Sequence, residues 1–568
     1  MSSHTHKRIL RAINILGRYP DHETQVTEWL SGLDHISLIR DNRRDDELIL
    51  YASSQCAFVH TVAVPNTKLH PTDKDDLLGW QCNAHTLCAS IWWQFGEEEK
   101  LGFTRGISGA GSKTLEGGQN LIFIRSFDGW NGEDNTSLEL LQEFEHVAEI
   151  RLREERNAYC KIDENGDFYD AVSVTKKTST TGTTLVTAKI DELIEYLVSS
   201  DQTLIQMFDF SLLDRAQFKS WDGGEEKTVF ESDTFFWRQK VCDDCAYFRG
   251  VQILRPNLTK KDLFEKLTEP SIRDADSVGF IAIDWRNGCV AEISTAIGAT
   301  TNYFEMENNN LPHQLSPAFF RPEVLSKYKS DKDKYTVGDR DIYCRSSWRL
   351  RGYDVNEAGQ VHAYICDLSD LPYQEQLHWK SFNVEPEASI SKRAFTNDFK
   401  GEWWTETNPF QSIFKVAQDW DEQSVWWWKL KETVLIENKS LPLSDSRNEW
   451  AETFMDLTKL LNEGFAEKSL KKVMLAHNIE FGSSDRSLVL LEKFLSAKTD
   501  DVKPIRLNGL RIAQEIRSKV KGHAGSSDAL KLAKTALMQH GTFAAHVQHV
   551  SAEILQELEM IENKLSEV

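Results

Sequence analysis

The sequence predicts a mixed α+β protein of several domains, in which mixed N-terminal and strand-rich central regions precede an all-helical C-terminal domain. The chain has 568 residues, and at roughly 150 residues per domain this length suggests about three or four domains. Alternating apolar runs around Asn-Gly dipeptides indicate strand hairpins before residue 440. Beyond that residue, apolar positions recur at three- and four-residue spacing, which is typical of helices.

Composition excludes several classes of protein. Apolar residues make up 40% of the chain and aromatic residues 10%, which is too much for a disordered protein. With 66 basic and 88 acidic residues the net charge is −22, which argues against a surface coated by nucleic acid but leaves a local basic groove open. The sequence contains no apolar run of membrane-spanning length, and its nine cysteines are scattered, so we expect a cytoplasmic protein.

Residues 1–250 are predicted to form a mixed α/β region. Helical spacing of apolar residues is visible in the segments 22–34, 74–95, 136–156 and 190–198. A buried strand is predicted over 120–127. A hairpin is predicted around Asn165-Gly166, a dipeptide that suits a type I′ turn.

Residues 251–440 are predicted to be rich in strands and in tryptophan. The run 278–284 reads as a buried strand that turns at Asn287-Gly288, and 342–353 with 360–367 suggests a second hairpin. Six tryptophans follow between positions 403 and 428. We expect them to pack against the helical domain.

Residues 441–568 are predicted to form a separate helical domain. Tryptophan is absent after Trp450, and the helical pattern is nearly continuous. The predicted helices are 447–463, 466–476, 485–497, 505–521, 526–539 and 541–565.

The segment from Gly106 to Thr114 resembles a phosphate-binding loop. Such a loop requires G-x-x-x-x-G-K-[ST], and here Ser112 is an extra residue between Gly111 and Lys113. We therefore expect a flexible surface loop at this position. Metal sites are also not expected, because the one Cys-x-x-Cys motif, Cys242 and Cys245, is only half of a zinc knuckle.

One pattern suggests a nuclease. If residues 420–439 form two strands, Glu437 and Lys439 share a face, and Asp421 begins the neighbouring strand. Carboxylates in this layout hold Mg²⁺ while lysine activates water in metal-dependent nucleases, so Mg²⁺ is the cofactor expected if this alternative holds. A strand end exposed to solvent, with tryptophans packed behind it, is the preferred interpretation.

Basic residues are in local excess near the C-terminus, where they could attract nucleic acid or an acidic protein. The candidates for nucleic-acid binding are Arg506, Arg511, Lys519 and Lys521. A solvated helix face explains the same pattern and is the preferred interpretation.

The stretch LNGLRIAQEIRSKVKGHAG, residues 507–525, resembles the second half of HEPN-type helical domains, which occur in bacterial antiviral and toxin–antitoxin proteins. Ribonuclease members carry Arg and His separated by four residues at a dimer seam. Here Arg517 and His523 are separated by five, and Gly522 stands where the histidine is expected. The chain as a whole resembles a bacterial protein family without an assigned activity.

The segment 377–404 combines aromatic rings with Lys380, Lys392, Arg393 and Lys400. Rings and cations together stack bases and hold phosphates, and they also suit protein interfaces. Because acidic residues are interspersed, we prefer a core or an interface. The predicted function is therefore an intracellular interaction protein, a sensor, adaptor or assembly subunit of an antiviral system that binds a protein partner or another copy of itself. The alternative is a nucleic-acid-cleaving enzyme.

Overall fold

A computed structural model of the chain describes residues 3–20, 29, 33–69, 73–86, 89–96, 99–126, 136–177, 182–213, 225–241, 245–268, 277–302, 310–404, 408–437, 441–442, 446–499, 503–521 and 527–568. Contacts within the chain divide it into two units. One comprises residues 1–163 and 167–271, and the other comprises residues 164–166 and 272–568. Both units contain helices and strands, and the second ends in a long helical stretch, so the protein is a multi-domain α+β protein as predicted. The boundaries at 250 and 440 stay predictions.

The first unit is dominated by strands. These are β1 (Glu47–Ser53), β2 (Ala57–Pro65), β3 (Ala89–Gln94), β4 (Lys100–Arg105), β5 (Gln119–Asn120), β6 (Ile122–Ser126), β7 (Thr136–Leu140), β8 (Arg151–Arg153), β9 (Ala158–Ile162), β10 (Phe168–Thr175), β11 (Thr184–Lys189), β12 (Gln202–Leu213), β13 (Lys227–Phe230), β14 (Phe235–Val241) and β15 (Cys245–Leu254). The helices are α1 (His4–Leu16), α2 (Asp34–Asn42), α3 (Lys74–Leu78), α4 (Gln142–Val147), α5 (Ile190–Ser199) and α6 (Lys260–Thr268).

Eleven strands of the first unit form one antiparallel sheet in the order β13-β14-β15-β12-β2-β1-β11-β10-β9-β8, with β5 paired to β2. The long strand β12 pairs Phe208 with Val59 of β2 and with Gly250 of β15. Since alternate residues face opposite sides, Ile205 and Met207 join one apolar cluster and Phe208 joins another. Burial on both faces explains why large apolar residues occur at both odd and even positions of β12.

Three predictions for this unit are confirmed. The run 120–127 contains the strand β6, and α5 covers the predicted helix at 190–198. The hairpin of β9 and β10 turns at Gly166, whose φ of +79° is one that glycine adopts readily. The predicted helix at 22–34 falls mainly outside the described residues.

Two predicted helices in this unit are wrong. Segment 74–95 is helical only over α3, after which 89–94 pairs with 100–105 as strand. Segment 136–156 becomes β7, the short helix α4 and β8. In both cases pairing with a neighbouring strand overrides an amphipathic spacing that is compatible with a helix.

The loop that resembles a phosphate-binding motif lies at the surface, where Gly109, Gly111 and Lys113 are exposed, but its Ser112 and Thr114 side chains are buried. The Asp76 carboxylate accepts hydrogen bonds from Ser112 Oγ at 2.6 Å, from the Lys113 backbone N–H at 2.9 Å and from the Thr114 N–H and hydroxyl at 3.0 and 2.8 Å. Burial opposes its ionisation, but these four hydrogen bonds outweigh that effect and lower the pKa of Asp76 to about 2. A carboxylate of the chain therefore occupies the donors that a phosphate would use.

The second unit begins with a strand-rich part. Its strands are β16 (Gly279–Asp284), β17 (Cys289–Ser294), β18 (Pro317–Phe320), β19 (Tyr335–Val337), β20 (Ile342–Cys344), β21 (Trp348–Leu350), β22 (Asp354–Val355), β23 (Val361–Tyr364) and β24 (Asn383–Val384). The helices of this unit are α7 (Ser326–Ser330), α8 (Ile365–Ser369), α9 (Tyr373–Phe382), α10 (Lys392–Ala394), α11 (Pro409–Glu422), α12 (Val434–Glu437), α13 (Arg447–Leu460), α14 (Glu467–Ala476), α15 (Ser487–Ala497), α16 (Asn508–Ile516), α17 (Ser527–His540) and α18 (Phe543–Leu565).

Six strands form the main sheet of this part in the order β17-β16-β18-β23-β22, with β24 paired to β18. The predicted strand and turn at Asn287-Gly288 are confirmed, since β16 and β17 pair around them. The predicted long hairpin is wrong in its first arm, because 342–353 is divided between β20 and β21, which pair with each other. Only the short strands β22 and β23 pair around the loop at 356–359.

All six helices predicted after residue 446 are confirmed, as α13 to α18. Their apolar stripes share one core with the tryptophan-rich segment, in which Trp420, Trp427 and Trp428 are buried. The Trp420 ring lies edge-on to the other two, at centroid distances of 6.0 and 5.9 Å. The expectation that the tryptophans pack against the helices is therefore confirmed for these three, whereas Trp403 is exposed and Trp404 lies outside this core.

Replacing Trp420 with alanine removes the centre of this core. We expect Trp420→Ala to lower the free energy of unfolding by about 3–5 kcal/mol, because the side chain is fully buried and leaves a cavity. Urea denaturation followed by circular dichroism measures this change. The control is Trp403→Ala, since Trp403 is 90% exposed, and equal effects of the two substitutions would contradict the assignment of Trp420 to the core.

Replacing Asp76 with alanine leaves the Ser112 and Thr114 donors without their acceptor. We expect a loss of about 1–3 kcal/mol at neutral pH. Because the folded pKa lies below the ordinary value of 3.8, the contribution of Asp76 is fully present above about pH 4 and is lost as pH falls toward 2.

The difference in unfolding free energy between wild type and Asp76→Ala should therefore be smaller at pH 3 than at pH 7 when measured by urea denaturation. The matched control is Asp75→Ala, whose exposed carboxylate lies 3.9 Å from Arg238. A pH-independent difference for Asp76→Ala would show that its carboxylate is not held in the loop.

Candidate functional site

The predicted strand pair of the nuclease alternative is wrong. Asp421 lies near the end of helix α11 with an exposed side chain, and Glu437 ends the short helix α12. The Glu437 side chain and all of Lys439 lie outside the described residues. Asp421 and Glu437 therefore lie on helices rather than on paired strands, so the strand geometry that was predicted to bring them together is absent.

The residues of the HEPN-type pattern are only partly described. Arg517 begins a π-helical turn over residues 517–521 and forms an ion pair with Glu463 at 2.6 Å. His523 lies outside the described residues. The role of Arg517 and His523 in ribonuclease chemistry stays a prediction.

Two of the basic nucleic-acid candidates are paired within the helical part. Arg511 donates to the Glu492 carboxylate through Nε at 2.6 Å and through Nη2 at 2.5 Å. Lys519 pairs with Glu515 one turn away. Arg506 is exposed, and the Lys521 side chain lies outside the described residues. The donors that a phosphate would need are thus largely engaged, and the nucleic-acid candidates stay a prediction.

A different surface stands out in the first unit. The hairpin of β3 and β4 exposes large apolar side chains that sequence reasoning did not select. Their exposed fractions are Ile91 63%, Trp92 46%, Trp93 66%, Phe95 79%, Leu101 78% and Phe103 61%. A contiguous exposed patch of this kind is typical of an interaction site.

The register of the hairpin gathers four of these side chains on one face. Ile91 lies opposite Phe103, and Trp93 lies opposite Leu101. Residues directly opposite in an antiparallel pair point to the same side, and alternate residues along a strand share that side. The four side chains therefore form one apolar face, which we call the hairpin face.

The opposite side of the hairpin is mainly polar. It carries Ser90, Gln94, Lys100 and Thr104. The Trp92 ring lies across Gly102, where a Cβ atom would stand 2.2 Å from the ring, so this glycine makes room for the tryptophan. The hairpin is thus amphipathic, with Trp92 folded down against its own backbone.

The hairpin face lacks a covering layer among the described residues. The two strands pair only with each other there. A two-stranded hairpin is marginally stable in water unless a third element packs on its apolar side. The period-two alternation of apolar residues in 89–95 and 101–103 was the signal for this element, and the helical interpretation of 74–95 concealed it.

The described part of the chain contains no group of three or more histidine, cysteine or acidic side chains arranged to hold a metal ion. None of its helices combines the length and apolar character that crossing a bilayer requires.

Comparison with known proteins adds no relative. No family model matches the chain, and no curated protein or solved structure is similar to it.

Proposed function

We propose that this chain is an interaction protein, an assembly subunit that associates with a second copy of itself through the hairpin face. The observation that carries the proposal is the exposure of Ile91, Trp93, Leu101 and Phe103 on one side of a two-stranded hairpin. Water-exposed apolar area of this size is unfavourable, and covering it provides the free energy for association.

The area is sufficient for a two-fold contact. With the adjacent Phe95, the exposed apolar side chains offer roughly 600 Å² per copy, given 150–250 Å² for each large side chain. Two copies packed face to face would bury about 1,200 Å², which is the lower end of specific protein interfaces. A short hairpin with one apolar face is also self-complementary, as a two-fold interface requires.

Charge favours a protein partner over a lipid surface. The connection between the strands contains Glu97, Glu98 and Glu99 in succession. Anionic lipids would repel an acidic connection of this kind. A second copy can leave Glu99, which is exposed, in solvent at the rim of the contact, because an interface is usually polar at its edge.

The resemblance of residues 507–525 to HEPN-type domains supports a place for this subunit in a bacterial antiviral or toxin–antitoxin system. The nucleic-acid-cleaving alternative has weaker support. Its metal-dependent form needs a strand pair that is helical here, and Arg517 is paired with Glu463.

Substituting the hairpin face should abolish association. We expect the full-length wild type to be a dimer in sedimentation velocity at concentrations of about 10–100 μM, well above the Kd of a moderate interface. The double substitution Trp93→Ser and Phe103→Ser should give a monomer, because it removes the two largest side chains of the hairpin face.

Trp403→Ser is the matched control, since Trp403 is 90% exposed but lies in the second unit. Circular dichroism must show that both variants are folded. A wild type that stays monomeric at the highest concentration, or a hairpin variant that still dimerises, would refute association through this face. Retained dimerisation in Trp403→Ser together with loss in the hairpin variant would support it.

A further inference from the structure

A second feature, independent of the hairpin face, lies in the strand-rich part of the second unit. A cavity of about 840 Å³ opens beside the turn after β16 and the segment that follows β24. This volume falls in the range of small-molecule sites, about 300–1,000 Å³. The cavity volume exceeds that of a small aromatic carboxylic acid, and a ligand of nucleotide size fits within it.

Aromatic rings form much of the cavity wall. They are Trp285, Phe395, Phe399 and Trp404. Trp285 meets Phe399 edge-on at a centroid distance of 4.7 Å, and Phe395 lies nearly parallel to Phe399 at 6.1 Å. Phe395 is 48% exposed, so part of its side chain is accessible to a ligand. Flat rings with accessible faces are the usual stacking platforms for nucleobases.

The ionisable side chains in the wall are basic. They are Lys392, Lys400 and His313, and none of the described residues that line the cavity is a carboxylate. In a chain of net charge −22 this is an unusual local composition. Burial and the neighbouring Arg286 guanidinium lower the pKa of His313, so that its ring is neutral at physiological pH. The two lysines therefore supply the fixed positive charge.

Both lysines are placed so that a ligand anion can reach them. Lys392 forms an ion pair with Glu357 at 3.0 Å, but the two side chains are 79% and 70% exposed. Such exposed pairs contribute little stability, so an anion can compete for the ammonium group. Lys400 lies over the Phe395 ring, 5.7 Å from its centroid, which puts a cation next to the stacking surface.

Buried ion pairs hold the cavity wall in place. Arg393 donates through two nitrogens to Asp354 at 2.9 and 2.7 Å, and the Ser391 hydroxyl donates to the same carboxylate at 2.7 Å. These contacts attach α10, which carries Lys392, to strand β22. Fixing the wall before binding lowers the entropic cost of taking up a ligand.

A second pair fixes the other end of the same segment. Arg340 donates through two nitrogens to Asp398 at 2.9 and 2.5 Å, and the Tyr364 hydroxyl donates to that carboxylate at 2.9 Å. Asp398 lies within the π-helical turn of residues 395–399, which positions Phe395 and Phe399. π-helical turns occur frequently at functional sites.

We propose that this cavity binds a nucleotide, with the base stacked on Phe395 and Trp404 and the phosphates held by Lys392 and Lys400. A phosphate group carries more charge than a carboxylate and so matches two lysines better than an aromatic acid does. The hydroxyls of Ser389 and Thr396 also line the cavity and can donate to the ligand. This inference goes beyond the proposed assembly and does not depend on it.

Isothermal titration calorimetry of the full-length protein with ATP tests the proposal. We expect saturable binding with a Kd below about 1 mM. The double substitution Lys392→Ala and Lys400→Ala should weaken ATP binding at least about tenfold by removing charge-assisted contacts to phosphate. Phe395→Ala should weaken it about five- to tenfold through lost stacking.

The matched control is Lys380→Ala, because Lys380 pairs with Glu292 at 3.1 Å and does not line the cavity. The Lys380→Ala variant should bind ATP with the same affinity as the wild type. Adenosine and inorganic phosphate serve as separate probes, and each should compete with ATP more weakly than AMP does.

Three outcomes would overturn the proposal. The first is no saturation by ATP or GTP up to about 5 mM. The second is unchanged affinity in the double lysine variant, when circular dichroism shows it to be folded. The third is competition by inorganic phosphate that equals competition by AMP, which would mean that the rings do not hold a base.

Discussion

Internal pairing of carboxylates is the constraint on which the rest of this structure depends. A chain with 22 more acidic than basic residues cannot bury its carboxylates without donors, because an unpaired buried charge costs several kcal/mol. Asp76 takes its donors from a loop, Asp354 and Asp398 take theirs from arginines, and Glu492 takes its donors from Arg511 and the Leu507 backbone N–H. These pairs stabilise the fold and at the same time determine which basic groups remain accessible to a ligand.

This constraint explains why charge counts along the sequence mislead. The basic residues near the C-terminus suggested a nucleic-acid surface, yet Arg511, Arg517 and Lys519 contact nearby carboxylates. The segment 377–404 suggested a core or an interface because acidic residues dilute its lysines. In the structure Asp398 is turned toward Arg340, while Lys392 and Lys400 line a cavity in which no carboxylate is found among the described lining residues. The three-dimensional structure is needed to tell which charged groups are paired and which are accessible to a ligand.

Helices and turns could be predicted from the sequence where the local pattern and the tertiary environment favour the same structure. Helices α13 to α18 could be predicted because each presents one apolar stripe to a common core. The hairpin at Asn165-Gly166 could be predicted because Asn-Gly between two alternating runs is a local signal for a turn, although Asn165 lacks the positive φ that a type I′ turn requires. The hairpin face could not, since Ile91 and Leu77 fit helical spacing, and only the pairing with 100–105 shows that 89–94 is a strand. The prediction for Asp421 and Glu437 made the opposite error, because a strand pair was predicted where both residues lie in helices.

The hairpin face and the cavity both expose aromatic rings, but they do so in different ways. In the hairpin, the rings are displayed on a thin element whose apolar side can be covered only from outside. In the cavity, the rings are recessed and held by arginine–carboxylate pairs, so a small molecule can fill the space without any change in the fold. The proposed self-association and the proposed nucleotide binding would therefore use different parts of the molecule.

The π-helical turn at Phe395–Phe399 carries a consequence for how the length of this chain can vary. The Lys400 backbone N–H donates to the Phe395 carbonyl, five residues earlier, so the turn contains one residue more than an α-helical turn would. Deleting a single amino acid here would convert the π turn to an α-helical turn with little rotation of the following backbone, because each kind of turn completes about one revolution. The separation of Phe395 and Phe399 along the chain would fall from four residues to three, which would change the relative placement of their rings in the cavity wall. This turn therefore allows the chain to lose one residue without redirecting the backbone, but not without altering the pocket.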